Sequence, residues 1–182
     1  MKEVNIYRPE LDYSANESYK SLRTNLLFCG EEKKVIAITS CTPNEGKSTV
    51  SLNLALSLAD SGKKVLFIDA DLRKSVLLGR TEVDGEIKGL SHLLSHQETV
   101  EDIIYATNYP SFHIIYAGTM PPNPAELLGG KYFKRFLQAV RKVYDYVIID
   151  TPPLGSVIDA AVIADECDGS IIVLESCVIS YR

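Results

Sequence analysis

The sequence predicts a doubly wound α/β domain built on a mostly parallel sheet, and three observations carry that prediction. Five short apolar runs, residues 35–39, 65–68, 113–117, 147–149 and 171–174, do not alternate apolar with polar. Unbroken runs of this length suit strands covered on both faces. Helical patterns lie between them at residues 48–61, 89–94 with 100–106, 127–143 and 157–165, and strand–helix alternation builds parallel sheets with helices on both sides. The first run also leads through Gly46-Lys47-Ser48 straight into a helix.

The elements follow in order. The first 30 residues are polar and carry Tyr7, Tyr13 and Tyr19, then turn apolar at Leu22, Leu26 and Leu27 on a helical period. They predict an extended arm and a helix over about residues 15–29, with a domain over 31–182 behind them. The tyrosines of the arm read as arm or packing residues rather than phosphorylation sites. At the other end the strand at 171–174 is followed only by residues 176–182, where a doubly wound sheet carries a further helix.

Composition sets the bounds. A chain of 182 residues with 46% hydrophobic and 24% charged residues fits one globular domain and excludes a disordered or fibrous one. Nineteen basic against 24 acidic residues leave a net charge of −5, which weighs against nucleic-acid binding through bulk positive charge. No apolar run approaches the ~20 residues of a membrane span, and the Met1-Lys2-Glu3 start opens no secretory leader. A soluble, cytoplasmic protein is expected. Cys29, Cys41, Cys167 and Cys177 are scattered with no Cys-x-x-Cys pair, which predicts inert, buried thiols rather than a metal site, with Cys41 excepted because it falls inside the loop at 40–49.

Three strand ends carry the chemistry. Residues 40–49, Ser-Cys-Thr-Pro-Asn-Glu-Gly-Lys-Ser-Thr, connect a strand to a helix. There Gly46 permits close backbone approach, and the N–H groups of Thr42, Pro43's neighbours Asn44 and Glu45, and the helix start can surround phosphates. Lys47 is placed to reach the β- and γ-phosphates, the Ser48 hydroxyl to ligate Mg²⁺, and Thr49 completes the loop. Cys41 stands where the usual pattern opens with Gly. The second strand ends in Asp69-Ala70-Asp71-Leu72-Arg73, two carboxylates facing the crevice where open α/β sheets bind ligands. The fourth ends in Asp150-Thr151-Pro152-Pro153, an acidic residue fit for a metal's shell. Each element has a plainer reading: a helix start with Ser48 near its cap, turn residues at Asp69 and Asp71, a strand stop at Asp150. Their convergence on one crevice favours nucleotide binding.

On these residues the chain resembles the bacterial P-loop protein-tyrosine kinases of capsule and exopolysaccharide synthesis, the cytoplasmic CpsD/CapB type. The likeness covers the 40–49 loop, Asp69-x-Asp71-x-Arg73, Asp150-Thr151-Pro152-Pro153, and the segment 118–128, Gly-Thr-Met-Pro-Pro-Asn-Pro-Ala-Glu-Leu-Leu. Glu17, Lys20 and Arg23 are similar to the family's oligomerisation motif, with Lys20 where Arg is usual. The resemblance implies a P-loop NTPase fold of the MinD/ParA-like kind, lacking here its C-terminal helix and strand, and no Tyr-rich tail to phosphorylate. It implies ATP and Mg²⁺ as cofactors and protein tyrosines as substrates. Partners would be a membrane adaptor (a polysaccharide chain-length regulator) that recruits the protein to the inner face of the membrane, and further copies in a ring. Lys47 serves the phosphates, Ser48, Asp71 and Asp150 the metal, and Asp69 or Asp71 the incoming hydroxyl, while Arg73 holds the loop or a neighbouring subunit. Two alternatives stand beside the kinase: a nucleotide-responsive assembly module with weak catalysis, and a ParA/MinD-like ATPase. Thr42, where those ATPases carry an extra lysine, weighs against the last.

Overall fold

The computed structural model describes residues 2–8, 10–82 and 85–176. Among them, β1 (Lys2–Ile6), β2 (Val35–Ser40), β3 (Val65–Asp69), β4 (Thr81–Glu82), β5 (Tyr105–Thr107), β6 (Phe112–Ile115), β7 (Tyr146–Asp150) and β8 (Gly169–Val173) form one sheet. Its order is β4-β1-β5-β6-β3-β7-β2-β8. The five strands expected from the apolar runs are its parallel core, β6-β3-β7-β2-β8.

The unbroken apolar runs are explained by two cores of opposite parity. Val35, Ala37, Leu66, Ile68, Val147 and Ile149 point to one face. Ile36, Ile38, Val65, Phe67, Tyr146 and Ile148 point to the other. Successive strand side chains alternate faces, so covering both faces demands apolar residues at every position. Helices α1 (Tyr13–Phe28) and α2 (Lys47–Asp60) cover the second face through Leu26, Leu52, Leu54, Leu56 and Leu58. The first face is covered by α3 (Leu90–Leu94), α4 (Val100–Ile103), α5 (Pro124–Leu128), α6 (Lys131–Val140) and α7 (Asp159–Ala164).

Four expectations change. The arm is extended, but it is a strand of the sheet: β1 runs parallel to β5 and antiparallel to β4, with Val4 and Ile6 buried. Its period-two pattern, Lys-Glu-Val-Asn-Ile, is the signal of a half-buried strand that a polar composition hid. The helix expected over 100–106 stops at Ile103. Ile104 turns extended, and Tyr105 enters β5 antiparallel to β6, its hydroxyl donating to the Lys88 carbonyl at 3.1 Å. The helix expected over 127–143 is two helices, α5 with Pro124 in its first turn and α6, parted by Gly129-Gly130. The thiols expected to be buried are less so: Cys29 is exposed and Cys167 half-buried, and both are free, as is the half-buried Cys41 of the loop. Cys177 and residues 178–182 lie outside the described residues.

The helix α1 begins two residues before the expected 15, with the Asp12 carboxylate capping the Ala15 N–H at 2.7 Å. Glu17 and Lys20 pair at 2.7 Å on its exposed side. Arg23 turns inward instead and donates to the Ser57 carbonyl on α2 at 2.7 Å.

Candidate nucleotide site

The site is built where β2, β3 and β7 end side by side. Residues 41–46 link β2 to α2, whose N-cap Gly46 has φ +83° with nothing within 4 Å of where a Cβ would stand. Backbone torsion therefore demands glycine there, and it leaves the first N–H groups of α2 open toward the cleft. Within the loop the Glu45 carboxylate accepts from the Thr42 N–H at 2.7 Å, and the Ser40 hydroxyl donates to the Thr42 carbonyl at 2.8 Å. The loop is thus braced from inside before any ligand arrives.

A second brace comes from the segment after β7. Leu154 N–H donates to Ser40 and Gly155 N–H to Cys41, at 2.8 and 3.0 Å. A Cβ on Gly155 would stand 2.5 Å from the Cys41 carbonyl oxygen. Gly155→Ala is therefore expected to push the loop from its place and slow phosphoryl transfer by about ten- to a hundredfold, as ångström-scale misplacement does. The measurement is nucleotide turnover beside a circular-dichroism melt, which checks that the fold survives.

Three acidic groups converge. Asp69 and Asp150 are register partners across β3 and β7. Lys47 bonds Asp150 at 2.9 Å and lies 3.1 Å from the Ser48 hydroxyl. Burial raises the Asp150 carboxyl above its usual range while the Lys47 charge pulls it back. Burial first, and then the charge of Asp150, push Asp69 up to about 7. Asp69 accepts from the Ser75 hydroxyl and the Asp71 N–H. Asp71 accepts from the N–H groups of Arg73 and Lys74 at 3.3 and 3.0 Å.

Over these groups opens a cleft of about 440 Å³. Pro43, Asn44, Gly46, Lys47, Ser48 and Thr49 form one wall, and Asp71, Arg73 and Lys74 face them. Asp71 thus faces the cleft, whereas Asp69 and Asp150 lie at its base, 2% and 3% exposed. Sequence reasoning missed three contributors. Arg80 donates to the Thr49 hydroxyl at 2.7 Å, Ser75 holds Asp69, and Asp159 grips Arg73. None carried a motif; each is brought in by the path of the chain between strands.

The donor set suits a hard divalent cation: one hydroxyl and carboxylate oxygens, with no sulfur or imidazole. Among the described residues no group of three or more acidic, His or Cys side chains forms a ready cage. That is the manner of Mg²⁺, which is held by one or two protein oxygens together with substrate phosphates. Burial raises both Asp69 and Asp150 by penalising their charged forms, a penalty that a bound cation would relieve.

With this geometry established, comparison with known proteins decides the family. The AAA domain family (AAA_31) matches residues 33–180. The tyrosine-protein kinase CpsD of Streptococcus agalactiae serotype III (strain NEM316) is 49% identical over 160 residues, 88% of this chain and 69% of the relative. The chain belongs to the bacterial protein-tyrosine kinase family. In structure it is similar to the kinase domain of Escherichia coli tyrosine kinase ETK, with a TM-score of 0.82 and 36% identity, covering 92% of this chain and 66% of that one. More distantly it is similar to the septum site-determining protein MinD of Pyrococcus horikoshii OT3, solved with Mg-ADP. There the TM-score is 0.64 at 28% identity, covering 77% of this chain and 57% of the other. The chain thus spans about two thirds of the CpsD kinase and of the ETK kinase domain. The fold expected from the sequence, α/β with a mostly parallel sheet and P-loop NTPase relatives, is the fold found.

Proposed function

We propose that this chain is an ATP- and Mg²⁺-dependent protein-tyrosine kinase that regulates capsule or exopolysaccharide synthesis. The observation that carries the reading is the buried Lys47–Asp150 pair beside Asp69 and Asp71, at the base of a cleft roofed by a left-handed glycine and a helix start. Phosphoryl transfer asks mostly for positioning and charge neutralisation, and those groups supply both. Membership of the tyrosine-kinase family supports the choice of acceptor.

In this reading the loop from Thr42 to Thr49 cradles the phosphates, with Lys47 turning from Asp150 to them. Ser48, Asp71 and Asp150 would hold Mg²⁺ directly or through water, and the ion would supply charge neutralisation at the phosphates. The tyrosine hydroxyl takes the place of Ser75 as donor to Asp69. Its oxygen bonds to the γ-phosphorus as the bond to the bridging oxygen breaks, ADP leaves, and the hydroxyl proton passes to Asp69. A tyrosine hydroxyl has pKa about 10, so a carboxylate near 7 is a far better acceptor than an ordinary one.

The family reading extends to partners. A membrane adaptor's cytoplasmic segment recruits the chain to the inner face of the membrane, and copies associate through α1. No described helix is long and apolar enough to cross a membrane by itself, which is consistent with recruitment. For association, the exposed Glu17–Lys20 pair is the free part of the motif, since Arg23 is engaged within its own chain. Glu17→Lys is expected to shift the protein toward monomer in sedimentation velocity while its melting temperature moves little, because exposed pairs contribute under about 1 kcal/mol.

The deciding experiment supplies γ-labelled ATP, Mg²⁺, an adaptor segment and a tyrosine-bearing acceptor, and counts label in phosphotyrosine against free phosphate. Label in phosphotyrosine is expected. Free phosphate alone would mark an ATPase, and no turnover would mark an assembly module.

A further inference from the structure

Outside the phosphate loop, the most deliberate polar contact in the molecule joins two segments that no motif connects. Asp159, in the first turn of α7, is completely buried. Both of its oxygens are taken by one guanidinium: Arg73 Nε reaches Oδ2 at 2.8 Å and Nη2 reaches Oδ1 at 3.1 Å, across 86 residues of sequence. Arg73 is also one of the residues whose N–H groups hold the Asp71 carboxylate. A continuous run of contacts therefore leads from the buried end of α7, through the guanidinium fork and one residue of backbone, to the carboxylate that faces the cleft.

The loop carrying Asp71 is also held by the Ala70 N–H on the Asp150 carbonyl, the Ser75 hydroxyl on Asp69 and the buried Leu72 and Leu77, but among the described residues Arg73–Asp159 is its one ion pair. Residues 70–77 contain no helix or strand, and Arg73 and Lys74 stand on the open side of the cleft. Fully burying a carboxylate is unfavourable unless it is paired and hydrogen-bonded. A planar, two-pronged pair fixes direction as well as distance. A helix cap would need neither burial nor a partner so far along the chain, and Asp159 makes no capping bond to the backbone of α7.

We infer that Asp159 is a positioning residue: through its bidentate pair with Arg73 it holds the Asp69–Arg73 loop so that the Asp71 carboxylate stays aimed into the cleft. The inference rests on the kinase reading for its consequence in turnover, but its geometry stands apart from it. Asp159 touches neither nucleotide nor acceptor and acts only through Arg73.

The test uses the full chain with Asp159→Ala, Asp159→Asn, Arg73→Lys and the Arg73→Lys/Asp159→Ala double variant. In the nucleotide-free protein, the Arg73 and Lys74 amides that donate to Asp71 are expected to exchange with deuterated water at least about tenfold faster in Asp159→Ala, while the core amides of α2 keep their wild-type rates. In turnover, kcat is expected to fall about tenfold or more, while KM for ATP changes less than about threefold, because the phosphate loop is untouched. The Mg²⁺ concentration for half-maximal rate should rise. The double variant should be no worse than the poorer single one, since both break the same pair. Arg73→Lys keeps the charge and loses the fork, so it should share the kcat defect. Equal acceleration of exchange in α2, or unchanged kcat per nucleotide-binding site with only a lower melting temperature, would overturn the inference by making Asp159 a plain stabiliser. Additive losses in the double variant would overturn it too. If the wild type transfers no phosphate to tyrosine, the kinase reading fails while the exchange experiment and the Mg²⁺ dependence of ADP binding still decide the role of Asp159.

Discussion

Replacing Lys47 with methionine is expected to lower tyrosine phosphorylation by at least about 10²–10³-fold, the usual consequence of removing one preorganised charge from a transfer site. Retained label transfer in Lys47→Met would remove this lysine from the mechanism. The same variant has a second signature. Lys47 is the ion-pair partner of Asp150, and both side chains are nearly buried. Breaking such a pair leaves a lone buried carboxylate, at a cost of about 3–5 kcal/mol. The cost depends on pH in a definite direction. Burial already raises Asp150, and losing Lys47 removes the influence that lowers it. A carboxyl whose folded pKa lies above its unfolded value stabilises the fold when protonated, and that stability is lost as pH rises. The gap in melting temperature between wild type and Lys47→Met should therefore be small near pH 5 and widen toward pH 8. A gap that is constant with pH would mean that Asp150 is not carrying the unpaired charge.

The second large effect belongs to Asp69, which is expected to make activity and stability respond in opposite senses. With its carboxyl raised from 3.8 to about 7, the folded protein holds a proton there that the unfolded chain releases at lower pH. Between about pH 4 and 7 the native state binds more protons, so stability falls as pH rises through this window and levels off above it. Integrated over about three pH units, the loss is on the order of 4 kcal/mol. Asp69→Asn has no such titration. It should match the wild type at acid pH, melt higher at pH 8, and lose phosphoryl transfer by two orders of magnitude or more, in line with catalytic groups that are retained against stability. In the wild type, the rate should rise with pH through about 7. Calorimetric melts from pH 5 to 8 beside a pH–rate profile read both. A variant that melts lower than wild type at pH 8 would show that the ionised Asp69 carboxylate stabilises the native state, against the raised value.

Much of the site was legible because its chemistry is local in sequence. Gly46, Lys47 and Ser48 must be consecutive for the backbone to turn, the helix to start and the hydroxyl to meet the lysine, and the structure finds them so. Asp69 and Asp150 could be matched in advance because each ends a parallel strand, and parallel neighbours bring their ends to one edge. The division between Asp69 and Asp71 was not legible. Residues two apart look equivalent on paper, yet one lies at the base of the cleft against Asp150 and Ser75 and the other faces the opening. Arg23 teaches the same lesson in reverse: its spacing from Glu17 and Lys20 suggests one outward face, but a carbonyl on α2 draws it inward.

By itself, the sequence determined the five parallel strands, the glycine-bearing turn from β2 into α2 and the strand ends that surround it. Those features follow from short-range periodicity and from residues that act within a few positions of one another. Only the tertiary structure decided what depends on contacts far along the chain. It turned the arm and residues 105–107 into strands through mutual pairing and pairing with β6, because a short strand gains its hydrogen bonds from its neighbours rather than from its own pattern. It raised Asp69 by bringing Asp150 beside it in a dry place. And it gave Arg73 a partner 86 residues away, since a buried carboxylate must be met by whichever cation the fold can deliver.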